Sequence, residues 1–148
     1  IESMWFQIHQ LEKRGDQTRI GRAVAAIRRH VEAGWDPEYG GLLHAIDAKG
    51  REPVGFEHPE VKLWWPATEA LYALLLAHSI CGEEWCLEWY RRVHDYSFTH
   101  FPVPEHGEWT QRLDRRGRPM DTVVALPVKD PFHLPRALIM AITLLEKV

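Results

Sequence analysis

Two segments of this 148-residue chain bring together side chains that can take up a proton, carry a charge or offer a flat aromatic face. One is Lys62-Leu63-Trp64-Trp65-Pro66-Ala67-Thr68-Glu69-Ala70; the other is Lys129-Asp130-Pro131-Phe132-His133-Leu134-Pro135-Arg136-Ala137. His133, at a helix start confined by two prolines, has the chemistry of a general base near neutral pH, although a lone histidine is more often a satisfied structural residue. Trp64 and Trp65 at the mouth of a helix serve either as core packing or as a platform on which a sugar ring stacks. Glu69 follows Trp65 by one helical turn, so the two share a face, and its carboxylate can accept hydrogen bonds from hydroxyls. A carboxylate inside an otherwise apolar helix is costly to bury unpaired, which predicts a polar cavity or, failing that, a salt bridge at the rim.

Other reaction classes drop out. The chain has no Ser-His-Asp arrangement, phosphate-binding glycine loop or dinucleotide fingerprint. None of its nine histidines is paired at the i, i+4 spacing of a metal-binding helix, so metal catalysis is not expected. Glu108-Trp109, directly after Gly107, is a third candidate segment, with Trp109 packing over helix ends or reaching a ligand from a loop.

The elements that must position these residues follow from an internal repeat. A shift of 67 superposes Pro37-Glu38-Tyr39-Gly40 on Pro104-Glu105-His106-Gly107, and pairs Glu2 with Glu69, Gly15 with Gly82, Asp47 with Asp114 and Lys62 with Lys129. Without a gap it yields twelve identities in 81 pairs, and these cluster in corresponding turns, as expected of a structural unit rather than of chance. The same register places Glu2, Glu69 and Arg136 at one level of successive units.

Each unit reads as helix, turn, helix and long loop. Apolar spacing predicts first helices over 2–14 and 69–80, stopped by Gly15 and Gly82, and second helices over 18–33 and 84–100 with basic outer faces. Gly-rich stretches 40–50 and 107–117 each carry Asp-x-x-Gly, which predicts a short hairpin. A last helix is expected from about Pro131 to Lys147. Helix pairs stack only with several neighbours, so the expected fold is all-α, part of an α/α toroid with the loops at one rim. The first residues already read as the inside of an amphipathic helix, which suggests a chain cut from something longer.

A quarter of the residues are charged, 26%, and the net charge is -3, the profile of one globular domain. The only dense basic patch, Arg115-Arg116-Gly117-Arg118, is short, which argues against nucleic acid. The longest apolar run, 70–77, falls short of a membrane span, and no signal segment opens the chain. Cys81 and Cys86 fit no zinc pattern and read as reduced cytosolic thiols.

These segments carry a resemblance. Asp36-Pro37-Glu38-Tyr39-Gly40-Gly41-Leu42, Lys62-Leu63-Trp64-Trp65-Pro66 with Glu69-Ala70, Tyr96-x-Phe98-x-x-Phe101, Pro104-Glu105-x-Gly107-Glu108-Trp109 and Phe132-His133-x-Pro135-Arg136-Ala137-Leu138 stand in the order found in the N-acylglucosamine 2-epimerase (renin-binding protein) family. The chain resembles the C-terminal part of that family's single (α/α)6 barrel catalytic domain, with the upstream half absent. The resemblance implies a sugar epimerase or isomerase that moves a proton at carbon 2, without metal or other cofactor, between two histidines serving as acid and base.

His133 matches the second histidine. The first belongs to Gly-His-x-x-Glu, whose Glu matches Glu2, and so would precede this chain. The resemblance further implies Glu2 as an auxiliary acid-base group, Arg136 as partner of a developing oxyanion, Trp64 or Trp65 as sugar platform and Glu69 as a hydroxyl ligand. Lys129, Glu108 and Trp109 join the substrate-binding set. Where many members carry His or Gln after Trp-Trp-Pro, this chain has Ala67.

The expected partners are a small sugar and the upstream half of the same barrel, with no nucleic acid or membrane; a homodimer is a candidate assembly, and the expected setting is cytoplasmic. The N-acylglucosamine branch is the nearer in pattern. Mannose-type aldose-ketose isomerase, cellobiose 2-epimerase and a non-catalytic carbohydrate- or protein-binding fragment are the alternatives.

Overall fold

The computed structural model describes residues 1–120, 127, 129 and 131–146. Among these described residues five α-helices form two layers. Helices α1 (Glu2–Glu12), α3 (Trp64–Cys81) and α5 (His133–Leu145) lie side by side, and α2 (Gln17–Gly34) and α4 (Glu84–His100) pack behind them. The arrangement is two helix pairs and the first helix of a third, as the repeat predicts. The expected end of the last helix, Lys147, lies outside the described residues, as does Val128, the repeat partner of Val61.

The sequence explains each helix locally. Asp16 caps α2, its carboxylate accepting the Arg19 N–H at 3.1 Å, and Ile20, Ala23, Val24, Ile27 and Val31 bury one face of that helix. The central helix α3 is apolar all round because it is enclosed on both sides and behind; Leu74, Ala70, Ala73 and Ala77 have no exposed surface. Burying a side chain such as Leu74 contributes about 1.5–3 kcal/mol. Gly15 and Gly82, the repeat-related stops, both have φ near +66°, which a side chain adopts only with strain.

Two expectations need correction. The second unit's first helix begins at Trp64 rather than 69, since Pro66 in its first turn gives up only an N–H that has no intrahelical acceptor. The stretch 40–50 does not pair as a hairpin: its one ladder contact is Leu42 against Trp35. Its Asp47-x-x-Gly50 turn does form, and 67 residues on the same turn recurs at Asp114-x-x-Gly117; in each the Asp carboxylate accepts from a following backbone N–H and from the side chain of Arg51 or Arg118.

In the second unit the pairing is real but distributed. Strand β2 (Pro102–Val103) pairs with β3 (Glu108–Trp109) around a single 3-10 turn at Pro104–His106, and β4 (Arg112–Leu113) pairs with β1 (Lys62–Leu63), tying the second loop to the mouth of α3. Among the described residues no helix is long and apolar enough to cross a membrane.

Candidate functional site

Glu2 opens α1, Glu69 lies in the second turn of α3, and His133 and Arg136 occupy the first turn of α5. The repeat register predicts one level for three of them, and packing of the inner helices brings all four together. Glu69 has no exposed surface. Its Oε1 accepts from His133 Nδ1 at 2.7 Å and from Arg136 Nη2, while Oε2 accepts from Trp5 Nε1 at 2.7 Å. Glu2 stands one step away, with Oε1 3.9 Å from His133 Nδ1 and 3.8 Å from Arg136 Nη2.

These distances assign the histidine tautomer. Arg136 Nη2 also lies 3.4 Å from His133 Nδ1, but that contact is longer than the carboxylate bond and joins a donor to a nitrogen already committed. Nδ1 therefore carries the proton and donates to Glu69, which leaves Nε2 as the basic nitrogen of the ring. Glu69 meets protein donors on both oxygens, so here it orients charge. Arg136 Nε and Nη1 are buried and have no hydrogen-bond partner among the described residues.

Ligand atoms of Glu2, Glu69 and His133 fall within 4.8 Å of one another, a spacing compatible with a metal ion. Arg136 sits against both carboxylates, so its guanidinium already supplies the positive charge that such an ion would bring.

The two tryptophans separate in role. Trp64 is buried, meets the His133 ring edge-on at 5.6 Å, and has the Lys129 ammonium 4.8 Å from its ring centre. Trp65 is half-buried, lies 5.4 Å from the His133 ring, and borders two cavities. One, of about 230 Å³, is lined by Glu2, Glu69, His30, His44 and Pro66; the other, of about 340 Å³, is lined by Trp64, His44, Glu57, His58 and Arg112. Ala67 is buried and borders a gap beside Trp35, Val93 and Ser97, on the side of the outer helices.

Glu108, Trp109 and Lys129 form a separate cluster against Trp64. Lys129 Nζ bonds to the Trp109 carbonyl and lies 3.0 Å from Glu108 Oε1. Burial works against the charge of Glu108, yet the Trp109 N–H and Lys129 overcome it and hold the carboxyl below its ordinary range. Trp109 stacks on Phe101 at 5.6 Å. The first unit has its own buried lysine knot: Lys62 Nζ is 3.4 Å from Asp36 Oδ2 and bonds to the Arg115 carbonyl, and Asp36 has no exposed surface.

Neither Trp5 nor Asp36 is among the site residues that type and spacing nominate, although Asp36 opens one of the segments that carry the family resemblance. A signal for Trp5 was present, because the repeat shift lays it on Tyr72, each an aromatic residue with a polar handle one turn after a glutamate. Tyr72 uses its handle on His9, 2.7 Å away, and burial pushes its hydroxyl up to about 12.

Comparison with known proteins places this geometry. The sequence profile of the N-acylglucosamine 2-epimerase (GlcNAc 2-epimerase) family matches residues 1–137. The chain belongs to that family. It is similar to the N-acylglucosamine 2-epimerases of Bos taurus, 38% identical over 149 residues, and Homo sapiens, 34% over 141, in each case covering 95% of this chain and 33% of the relative.

The chain thus spans about a third of the length of these curated relatives. Its fold superposes on a D-mannose isomerase (TM-score 0.81, 20% identity, 99% of this chain and 37% of that one) and on the cellobiose 2-epimerase of Spirochaeta thermophila DSM 6192 (0.76, 17%, 98% and 37%). The helix pairs described above are accordingly part of an (α/α)6 barrel.

Proposed function

We propose that residues 1–148 form the C-terminal part of the catalytic barrel of a sugar 2-epimerase, of the N-acyl-D-glucosamine 2-epimerase kind, that interconverts C2 epimers by removing and returning the proton at carbon 2. The observation that carries this reading is the convergence of His133, Glu69 and Arg136. With Nδ1–H held by Glu69, His133 Nε2 takes the carbon 2 proton of the open-chain sugar, and the electron pair moves toward the carbon 1 carbonyl to give an enediolate. Arg136, whose Nε and Nη1 are buried without a hydrogen-bond partner among the described residues, is the cationic partner of the developing oxyanion in this reading.

A second base, starting in its protonated form, delivers its proton to the opposite face of carbon 2, which inverts that carbon and leaves the two bases with exchanged protonation states. That base is the histidine three residues before Glu2 that the family motif implies, and Glu2 assists it. Trp65 is the sugar platform, since it borders both cavities, whereas Trp64 borders one of them and is buried with its ring against Lys129. Lys129, Glu108 and Trp109 act by holding that wall.

The test is deuterium incorporation at carbon 2 of N-acetylmannosamine, mannose and cellobiose in heavy water, followed by NMR, using the protein at the full length of its relatives. Exchange on one sugar is expected, and His133→Asn abolishes it while sugar binding persists. Exchange retained in His133→Asn refutes the assignment; mannose turnover with a ketose product favours the isomerase reading instead.

A further inference from the structure

Trp5 touches both charged partners of His133. Its Nε1 donates to Glu69 Oε2 at 2.7 Å, and the Arg136 guanidinium lies 4.7 Å from its ring centre. We propose that Trp5 is a positioning residue for His133, acting through Glu69: by engaging Oε2 it fixes the carboxylate plane so that Oε1 meets the Nδ1–H of His133. This rests on the reading of His133 as the base at carbon 2.

The terminal torsion of a glutamate is soft, with broad wells. A carboxylate held at one oxygen can therefore swing, and with it the acceptor that selects the histidine tautomer. Bonds at both oxygens remove that freedom. Trp5 and Glu69 are both buried, so no bulk water competes for Oε2, and an acceptor left unmade there is costly.

Trp5 is itself held. Phe6 stacks on it at 3.9 Å and the Tyr72 ring meets it edge-on at 5.2 Å, with Tyr72 in turn bound to His9. Its one side chain thus supplies a neutral donor to the anion and an aromatic face to the cation that shares that anion.

Trp5→Phe keeps an aromatic face for Arg136 and deletes the N–H. In the full-length protein, kcat is expected to fall by about 10- to 100-fold, the value of a hydrogen bond to a buried charge, with KM changed less than about twofold. Nitrogen-15 NMR of the His133 ring should show a single Nδ1-protonated tautomer in the parent and a mixture in the variant. Glu69→Gln should be nearly as severe alone as when combined with Trp5→Phe, because the two act through one group.

Unchanged kcat and ring shifts, or fully additive losses, overturn the proposal. If the parent turns over no sugar, the proposed function fails, and the ring shifts alone still decide the role of Trp5. Should Trp5→Phe fold poorly, replacing the indole by the isosteric benzothiophene removes the N–H with shape retained, and the same readouts apply.

Discussion

Replacing Asp36 by Asn tests the knot beneath the mouth of α3, and its effect can be worked from the contacts. The carboxylate accepts from Arg115 Nε at 2.9 Å and from the N–H groups of Glu38 and Tyr39 at 3.0 and 3.3 Å, with Lys62 Nζ 3.4 Å away. Burial opposes its charge, but the Arg115 bond, the two N–H groups and Lys62 together outweigh it and hold the carboxyl at about 2, against 3.8 for a free aspartate.

A depression of that size is worth about 2 kcal/mol. Because the folded carboxyl gives up its proton more readily than the unfolded one, this stability is present above about pH 4 and is lost as pH falls through about 2. Asp36→Asn removes it, and also leaves Lys62 buried without an anion, where burial alone disfavours its charge. The expected cost at pH 7 is about 3–5 kcal/mol, that of breaking a buried ion pair from one side.

Urea unfolding of parent and variant at pH 7 and pH 3 measures both terms. The gap between the two proteins should narrow by about 1 kcal/mol at pH 3, where the unfolded carboxyl is largely protonated and the folded one is not. A gap that is the same at both pH values refutes the electrostatic account, and a gap below about 1 kcal/mol at pH 7 refutes the knot as a structural element.

Three other substitutions probe the fold and the site. Gly41 has φ +77° and an added Cβ would stand 2.5 Å from the Tyr96 ring, whereas Gly15 at φ +66° faces open space. Gly41→Ala should therefore cost more than about 3 kcal/mol and Gly15→Ala only about 1, by denaturant unfolding; equal costs would mean that the ring yields freely. Trp65→Ala should weaken sugar binding by about 1–3 kcal/mol in calorimetric titration of the full-length protein, and unchanged affinity would return Trp65 to a packing role.

Much of this arrangement is legible in the residues alone. The second helices could be read because their apolar residues recur with helical period, and a periodic signal needs no distant partner. The repeat also set Glu2, Glu69 and Arg136 at one level, since equivalent positions on stacked units lie at equal height. The loop stretches were read less well. The Asp-x-x-Gly turns were evident because their bonds are local, but β1 finds its partner in β4, about fifty residues on, and no local pattern specifies such a pairing.

The division at the site has the same cause. Residue type and spacing nominated His133, Glu69, Arg136 and the tandem tryptophans, because chemistry belongs to side chains and register to the repeat. Which oxygen of Glu69 meets which donor, that Trp64 is buried against Lys129 and borders one cavity while the half-buried Trp65 borders both, and that Trp5 completes the carboxylate are matters of packing between α1, α3 and α5. Dehydration and side-chain direction arise only when helices 60 or more residues apart in sequence enclose the same space, so those features belonged to the tertiary structure alone.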